Sequence, residues 1–268
     1  MSLTESLIKA GRLIKNKCRK FVPQSSKPRK KASFLSAYNN PLFGLLFDIA
    51  GSEFRFDGLS AIVPKHLTSR SFRSCFWFEL YEAPERRLCH KYLSPDDDVL
   101  ELGGCLGIVS CKVASLLGPE RRHVIIEANS ELIPIISTNI RRNGFRSQIV
   151  HAAIGGGDRV AFNAATDVID SSISDEVSNT VSELVETVSA DVLEQRYGSF
   201  NSLICDIEGA EMHFLAESAD FLSRLRVVII EMHPDILGDA NVENCRHFLR
   251  ESGLRNVEQD QHVEAWVR

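Results

Sequence analysis

The chain has 268 residues, 44% apolar and 25% charged, with a net charge of −5. That fits one substantial α/β core and excludes fibrous or low-complexity classes. No apolar run is long enough to cross a bilayer, and seven scattered cysteines without a Cys-x-x-Cys pair point to a reducing, cytoplasmic setting with neither a disulfide framework nor a zinc site.

The charge is unevenly held, with +9 on residues 1–31 and −14 on the remainder. Leu3, Leu7, Ile8, Leu13, Ile14, Cys18 and Phe21 recur near helical spacing among Lys and Arg, which predicts a basic amphipathic helix over residues 3–22. The stretch VPQSSKPRKKAS reads as a linker, and no cleavable signal pattern precedes it. The arm 1–31 suits peripheral contact with an anionic membrane surface, against the alternative of a solvated tail. In residues 42–66 the alternation of SEFRFDGLSAIVP around Asp57-Gly58 predicts a short hairpin, and residues 70–93 read as helix. Residues 32–95 are therefore an extension packed on a core domain at 96–268.

From residue 98, short β-rich runs alternate with longer periodic ones. Strands are expected at 98–102, 123–127, 148–154, 201–207 and 226–232, with a short strand near 159–163 inside a polar, mobile stretch from 155 to about 185. Helices are expected at about 107–117, 131–143, 189–197, from 209, and at 242–252, before closing strands near 254–259 and 262–267. The runs Val124–Ile126 and Val227–Ile230 lack period-two alternation, so both sheet faces should be covered. The expectation is a Rossmann-like, mostly parallel doubly wound sheet with a C-terminal antiparallel hairpin.

In such a sheet a ligand sits beyond the strand ends, where this chain places VLELGGCLG. Gly103 and Gly104 allow a tight turn, and Gly107 lets the next helix begin near the ligand. Glu-Leu-Gly-Gly-Cys-Leu-Gly is not Gly-x-Gly-x-x-Gly, and the Glu101 carboxylate would repel phosphate while attracting a cationic group. Glu127, 20 residues beyond Gly107, can accept two hydrogen bonds from a ribose diol. Ala128 and Asn129 follow it beside the expected place of an adenine. An acidic strand end of this kind fits NAD as well as S-adenosylmethionine, and the loop favours the latter.

DVLELGGCLGIVSCKVASLLG, HVIIEANSELIPIISTNIRRNGF, LICDIEGAEMHFL and VVIIEMHPDI together resemble the FkbM family of S-adenosylmethionine-dependent methyltransferases over about residues 81–235. The resemblance implies a class I methyltransferase fold and cofactor contacts at Glu101, Gly103, Gly107, Glu127 and Asn129, with Asp206 near the methionine end. Tyr81-Glu82 resembles a family element that closes over that end. Here Glu101 replaces the usual Asp, Gly104-Cys105 replaces Ala-Asn, Ala128 replaces Pro, and Ile204 stands where a lysine is common. The implied activity is O-methylation of a sugar, glycan or other small-molecule hydroxyl, with no nucleic-acid partner.

An alcohol must lose its proton to attack a methyl carbon, so a base or a metal is useful. Asp206 and Glu208 straddle the end of one strand, and Glu231 and His233 end the next. Glu208 or His233 is the candidate base, the other reading being that Glu208 and Glu211 cap the following helix while His233 orders the loop before Pro234. A divalent metal on Asp206, Glu208 and Glu231 is a third option. Cys105 and the remaining histidines read as packing or surface residues. An NAD-dependent oxidoreductase and a catalytically silent membrane-associated scaffold are the rival functions.

Overall fold

The computed structural model describes residues 40–157, 159–163, 172–173 and 182–268. The amphipathic helix and linker expected before residue 40, and much of the polar stretch between 155 and 185, lie outside the described residues. The chain divides into two compact units between Ala83 and Pro84. Among the described residues no helix is long and apolar enough to cross a membrane.

In the first unit, helix α1 (Pro41–Ile49) is capped by Asn40, whose side chain accepts from the Leu42 N–H at 2.9 Å, with Pro41 opening the first turn. This helix was not among the expected elements. Strands β1 (Glu53–Phe56) and β2 (Leu59–Ile62) form the expected hairpin, turned by Asp57 and Gly58 at φ +48° and +83°. The helix expected over 70–93 is interrupted instead. It runs as α2 (Ser74–Trp77) and then α3 (Ala83–Tyr92), because Glu79 and Glu82 take left-handed backbone at φ +61° and +50°. Asp48, 9% exposed at its side chain, pairs with Arg73 at 2.7 Å within this unit.

The second unit carries most of α3 and the main sheet. Its elements are β3 (Val99–Leu102), α4 (Ile108–Leu116), β4 (His123–Glu127), α5 (Ile133–Arg142), β5 (Gln148–His151), β6 (Ala153–Ile154), β7 (Arg159–Asn163), β8 (Ser172–Ile173), β9 (Ser182–Val188), α6 (Ala190–Tyr197) and β10 (Ser202–Cys205). They are followed by α7 (Glu211–Glu217), α8 (Ala219–Leu222), β11 (Val227–Glu231), α9 (Pro234–Leu237), α10 (Asp239–Glu251), β12 (Arg255–Asp260) and β13 (Val263–Val267). Seven strands pair in the order β12-β13-β11-β10-β3-β4-β5. The run from β11 to β5 is parallel, and β12 and β13 are the antiparallel closing hairpin. This is the Rossmann-like, doubly wound sheet that the apolar strands predict. Every residue of β3, β4 and β10 is buried, as helices on both faces require.

The expected single strand over 148–154 is two. Ala152, whose N–H bonds the Glu127 carbonyl at 3.1 Å, passes the chain from β5 to β6, which belongs to a second sheet ordered β6-β9-β7-β8. Its longest member, β9, was hidden in a stretch whose Ser, Thr and Asp content reads as loop.

At the amino-terminal margin of the main sheet, Asp98 gathers three strand starts. Its side chain accepts from the Arg122 N–H and guanidinium, both at 2.8 Å, while Asn201 takes its N–H at 3.0 Å and donates to its carbonyl at 3.1 Å. Asp97, 1% exposed, is held by the Arg226 guanidinium at 3.0 Å.

Candidate active site

Strand order reverses between β3 and β10, and in sheets of this kind a ligand sits beyond the carboxyl ends of the strands at such a point. Register decides what meets at that margin. Leu102 lies opposite Cys205, and Cys205 opposite Ile230, so Gly103, Asp206 and Glu231 leave adjacent strands side by side. The Asp206 N–H donates to the Leu102 carbonyl at 2.9 Å. The glycine loop and the second acidic segment are thus one constellation.

Gly103 has φ +86°, and a Cβ there would lie 1.7 Å from the Asp206 carbonyl oxygen, so only glycine lets the strands approach this closely. Gly104 and Gly107 are buried. A Cβ on Gly104 would strike Ile125 at 2.7 Å and Ile136 at 2.8 Å, and one on Gly107 would come within 3.1 Å of the Ile136 backbone. Their immediate work is to seat α5 against the loop, and the partly exposed residues at its tip are Gly103 and Cys105. Cys105 is left-handed at φ +44°, a region that asparagine tolerates better than most residues. Cys105→Asn should raise stability by about 1 kcal/mol, and a denaturation midpoint at or below that of the parent protein would count against the strain.

Glu127, 7% exposed, accepts from the Cys105 N–H and the Asn129 N–H, each at 2.8 Å and each on a different oxygen. Burial pushes its pKa up while these backbone donors pull it down, and burial prevails. The Gly104 and Ala128 N–H groups also lie against this carboxylate and pull its pKa down in the same way. Asn129, 3% exposed, spends its side-chain oxygen on the Glu131 N–H at 3.0 Å, and Ala128 packs on Ala153 and Val185.

Glu101 corrects the sequence reading. It is 1% exposed, receives the Ser110 hydroxyl, and meets His123 Nε2 at 2.8 Å. The imidazole is held from its other side by Ser147 at 2.9 Å. This carboxylate braces β3, α4 and β4 from within and does not present itself to a cationic ligand. Tyr81 and Glu82 belong to the first unit, where the Tyr81 ring packs against Phe76 and Phe72 at 4.7 and 5.5 Å between centroids.

The turn after β10 places Glu208 at φ +49° and Gly209 at φ +100°. Such backbone strain in a non-glycine residue persists only where surrounding contacts hold it. His233 follows β11 and precedes Pro234 of α9. Its Nδ1 donates to Glu211 Oε1 at 2.6 Å, while its Nε2 lies 3.5 Å from Asp206 Oδ1 and 3.3 Å from Glu208 Oε2. Burial lowers the imidazole pKa, but Glu211, Asp206 and Glu208 outweigh it and lift the value to about 9. Asp206 is driven well above the ordinary carboxylate range by burial and then by Glu231.

One participant is cast in another role by the structure, and a second escapes the sequence reading. Glu211, read from the sequence as a helix cap, makes no such cap: α7 has no side-chain cap hydrogen bond, and the wholly buried carboxylate instead accepts from the Gly209 N–H at 3.2 Å and orients His233. Glu85, on α3 and 6% exposed, shares a hydrogen bond with Glu231. Burial and then Glu85 raise Glu231 to about 8, so at neutral pH Glu231 keeps a proton to donate. Glu231 therefore pairs with Glu85, and the group whose ligating atoms converge, all within 4.8 Å of one another, is Asp206, Glu208 and His233. A lone acid on the buried face of α3 was the available signal for Glu85.

Among known proteins, the family profile for the methyltransferase FkbM domain matches residues 103–267. No curated protein matches the chain. Among solved structures, a methyltransferase from Pyrococcus furiosus is 13% identical over 86% of this chain and 98% of that one, with a TM-score of 0.49. An O-methyltransferase from Bacillus cereus in complex with SAH is 14% identical over 97% and 100%, with a TM-score of 0.44.

Proposed function

The chain belongs to the FkbM methyltransferase family, and from that premise we propose that it moves the methyl group of S-adenosylmethionine onto the oxygen of a hydroxyl carried by a sugar, glycan or other small molecule. The observation that supports this reading is the convergence, at one margin of the sheet, of a nucleoside-type acid with an acid–histidine cluster suited to ionising an alcohol. The position of Glu127 at the end of β4, beside the glycine loop, suits a ribose diol, and the Gly103–Cys105 tip admits close approach of a ligand. With Glu101 sealed inside, the partly exposed Asp206 is the acidic group that suits the cationic end of the cofactor, whose charge would favour the ionised form that burial and Glu231 oppose.

Bound there, S-adenosylmethionine supplies a methyl carbon already activated by a positively charged sulfur. The protein's contribution is placement, worth roughly 7–11 kcal/mol when nucleophile and carbon are well aligned, and management of the acceptor's proton. Glu208 is the group to take that proton as the acceptor oxygen bonds to the methyl carbon and the carbon–sulfur bond breaks, its electron pair staying on sulfur. His233, lifted to about 9 by the carboxylates around it, already carries a proton at neutral pH and acts by holding Asp206 and Glu208 in place. Glu211 keeps the imidazole turned so that Nε2 addresses the two carboxylates.

Glu127→Ala tests the cofactor half of the reading. Loss of a charged acceptor of two hydrogen bonds should weaken binding of S-adenosylhomocysteine by roughly 10–100-fold, measured by calorimetry on protein whose melting temperature is checked in parallel. Unchanged affinity would remove Glu127 from the site. Methylation of a hydroxylated acceptor panel with labelled cofactor tests the other half, and cofactor binding without turnover on any acceptor would favour a silent scaffold.

A further inference from the structure

The acid–histidine cluster is richer in carboxyl groups than proton transfer alone requires. Glu85, Asp206, Glu208, Glu211 and Glu231 act on one another or on His233. Arg86 is the guanidinium that offsets them at Glu85. Three enclosed oxygens of the cluster, Oε2 of Glu85, Oδ1 of Asp206 and Oε2 of Glu211, have no hydrogen-bond donor, although the Asp206 side chain as a whole is 26% exposed. Unpaired buried oxygens are costly, and each calls for an explanation.

His233 carries the second, independent observation. A metal-binding histidine nearly always donates its other ring N–H to a carboxylate, which fixes the tautomer and turns the free lone pair toward the ion. Nδ1 of His233 donates at 2.6 Å to a Glu211 that is wholly buried, and Nε2 faces Asp206 at 3.5 Å and Glu208 at 3.3 Å. These separations are long for hydrogen bonds. They sit near the spacing of neighbouring ligands around an ion, about 3.0 Å for octahedral bonds of about 2.1 Å. The strained turn at Glu208 and Gly209 is what brings the second carboxylate to this point.

We propose that Asp206, Glu208 and Nε2 of His233 hold one divalent cation at the margin of β10 and β11, with Glu211 as the positioning residue behind the imidazole. Two hard carboxylates and one imidazole suit the Mn2+ and Mg2+ class. The inference deepens the methyl-transfer reading and rests on it for the ion's use, which is to make an acceptor hydroxyl bound beside it easier to ionise.

The test is Mn2+ binding by the chelator-treated full chain without cofactor or acceptor, read as loss of the free-ion electron paramagnetic resonance signal and checked by calorimetry with Mg2+ as competitor. One ion per chain is expected. Glu208→Gln should lower Mn2+ affinity at least about 10-fold, and Glu211→Gln by roughly 10–100-fold, with melting temperatures confirming that both variants fold. Glu127→Ala should leave Mn2+ affinity within about 2-fold, a separation smaller than any lost ligand produces. No stoichiometric ion, or an affinity indifferent to both cluster variants, overturns the proposal. S-adenosylhomocysteine binding on the same samples keeps the readings apart: binding without an ion sinks the metal alone, and an ion without binding sinks the methyl-transfer reading.

Discussion

His233→Ala lowers turnover by roughly 10²–10⁴-fold, the range a positioned acid–base or equivalent group contributes, and changes S-adenosylhomocysteine affinity little. The asymmetry follows from position. The ring stands at the end of β11 among Asp206, Glu208 and Glu211, whereas the nucleoside acid Glu127 ends β4, on the far side of β3 from β10 and β11. The measurement is single-turnover methyl transfer beside calorimetry on the same preparation. A variant with normal turnover would remove His233 from the chemistry, and one that loses cofactor affinity in proportion would place it in binding instead. Glu211→Gln should show the same split in weaker form, because it acts through the ring.

Gly103→Ala is expected to cost roughly 2–5 kcal/mol, combining overpacking with a left-handed non-glycine residue. That is a large share of the about 5–15 kcal/mol that holds a typical domain together. The new methyl would stand 1.7 Å from the Asp206 carbonyl, so either β3 and β10 separate or the loop rebuilds, and both disturb the cofactor side and the acid–histidine side together. The melting temperature should fall by at least about 5 °C, with loss of S-adenosylhomocysteine binding. A variant that melts with the parent would show that the two strand ends are not pressed together as described. Gly107→Ala, whose Cβ would meet the Ile136 backbone at 3.1 Å, should be less damaging.

The parallel sheet was legible because β4 and β11 are nearly unbroken apolar runs, and the closing hairpin appeared as two short strands that follow the last helix. Glu127, Asp206, Glu208 and His233 were legible as acids and a histidine at strand ends, where register alone makes them neighbours. Glu101 was misread for a three-dimensional reason. Nothing along the chain announces that Ser110 and His123 fold over it, and residue spacing cannot tell a carboxylate facing a ligand from one facing a buried imidazole. Helix α1 was missed because its signals, Asn40 and Pro41, precede a run in which apolar residues are too dense to show a face. The partnership of Glu85 with Glu231 joins positions far apart in sequence, and only packing reveals it.

The clasp that Asp98 makes with Arg122 and Asn201, reinforced by Asp97 and Arg226, fastens β3, β4, β10 and β11 at the margin opposite the glycine loop and the acid–histidine cluster. Endurance and chemistry are thereby housed at opposite poles of the same strands. Damage to the fastened pole should show first in how long the protein survives heat, with its choice of acceptor intact. Evolution can meanwhile remodel the open pole for a new alcohol without loosening the bolts beneath it.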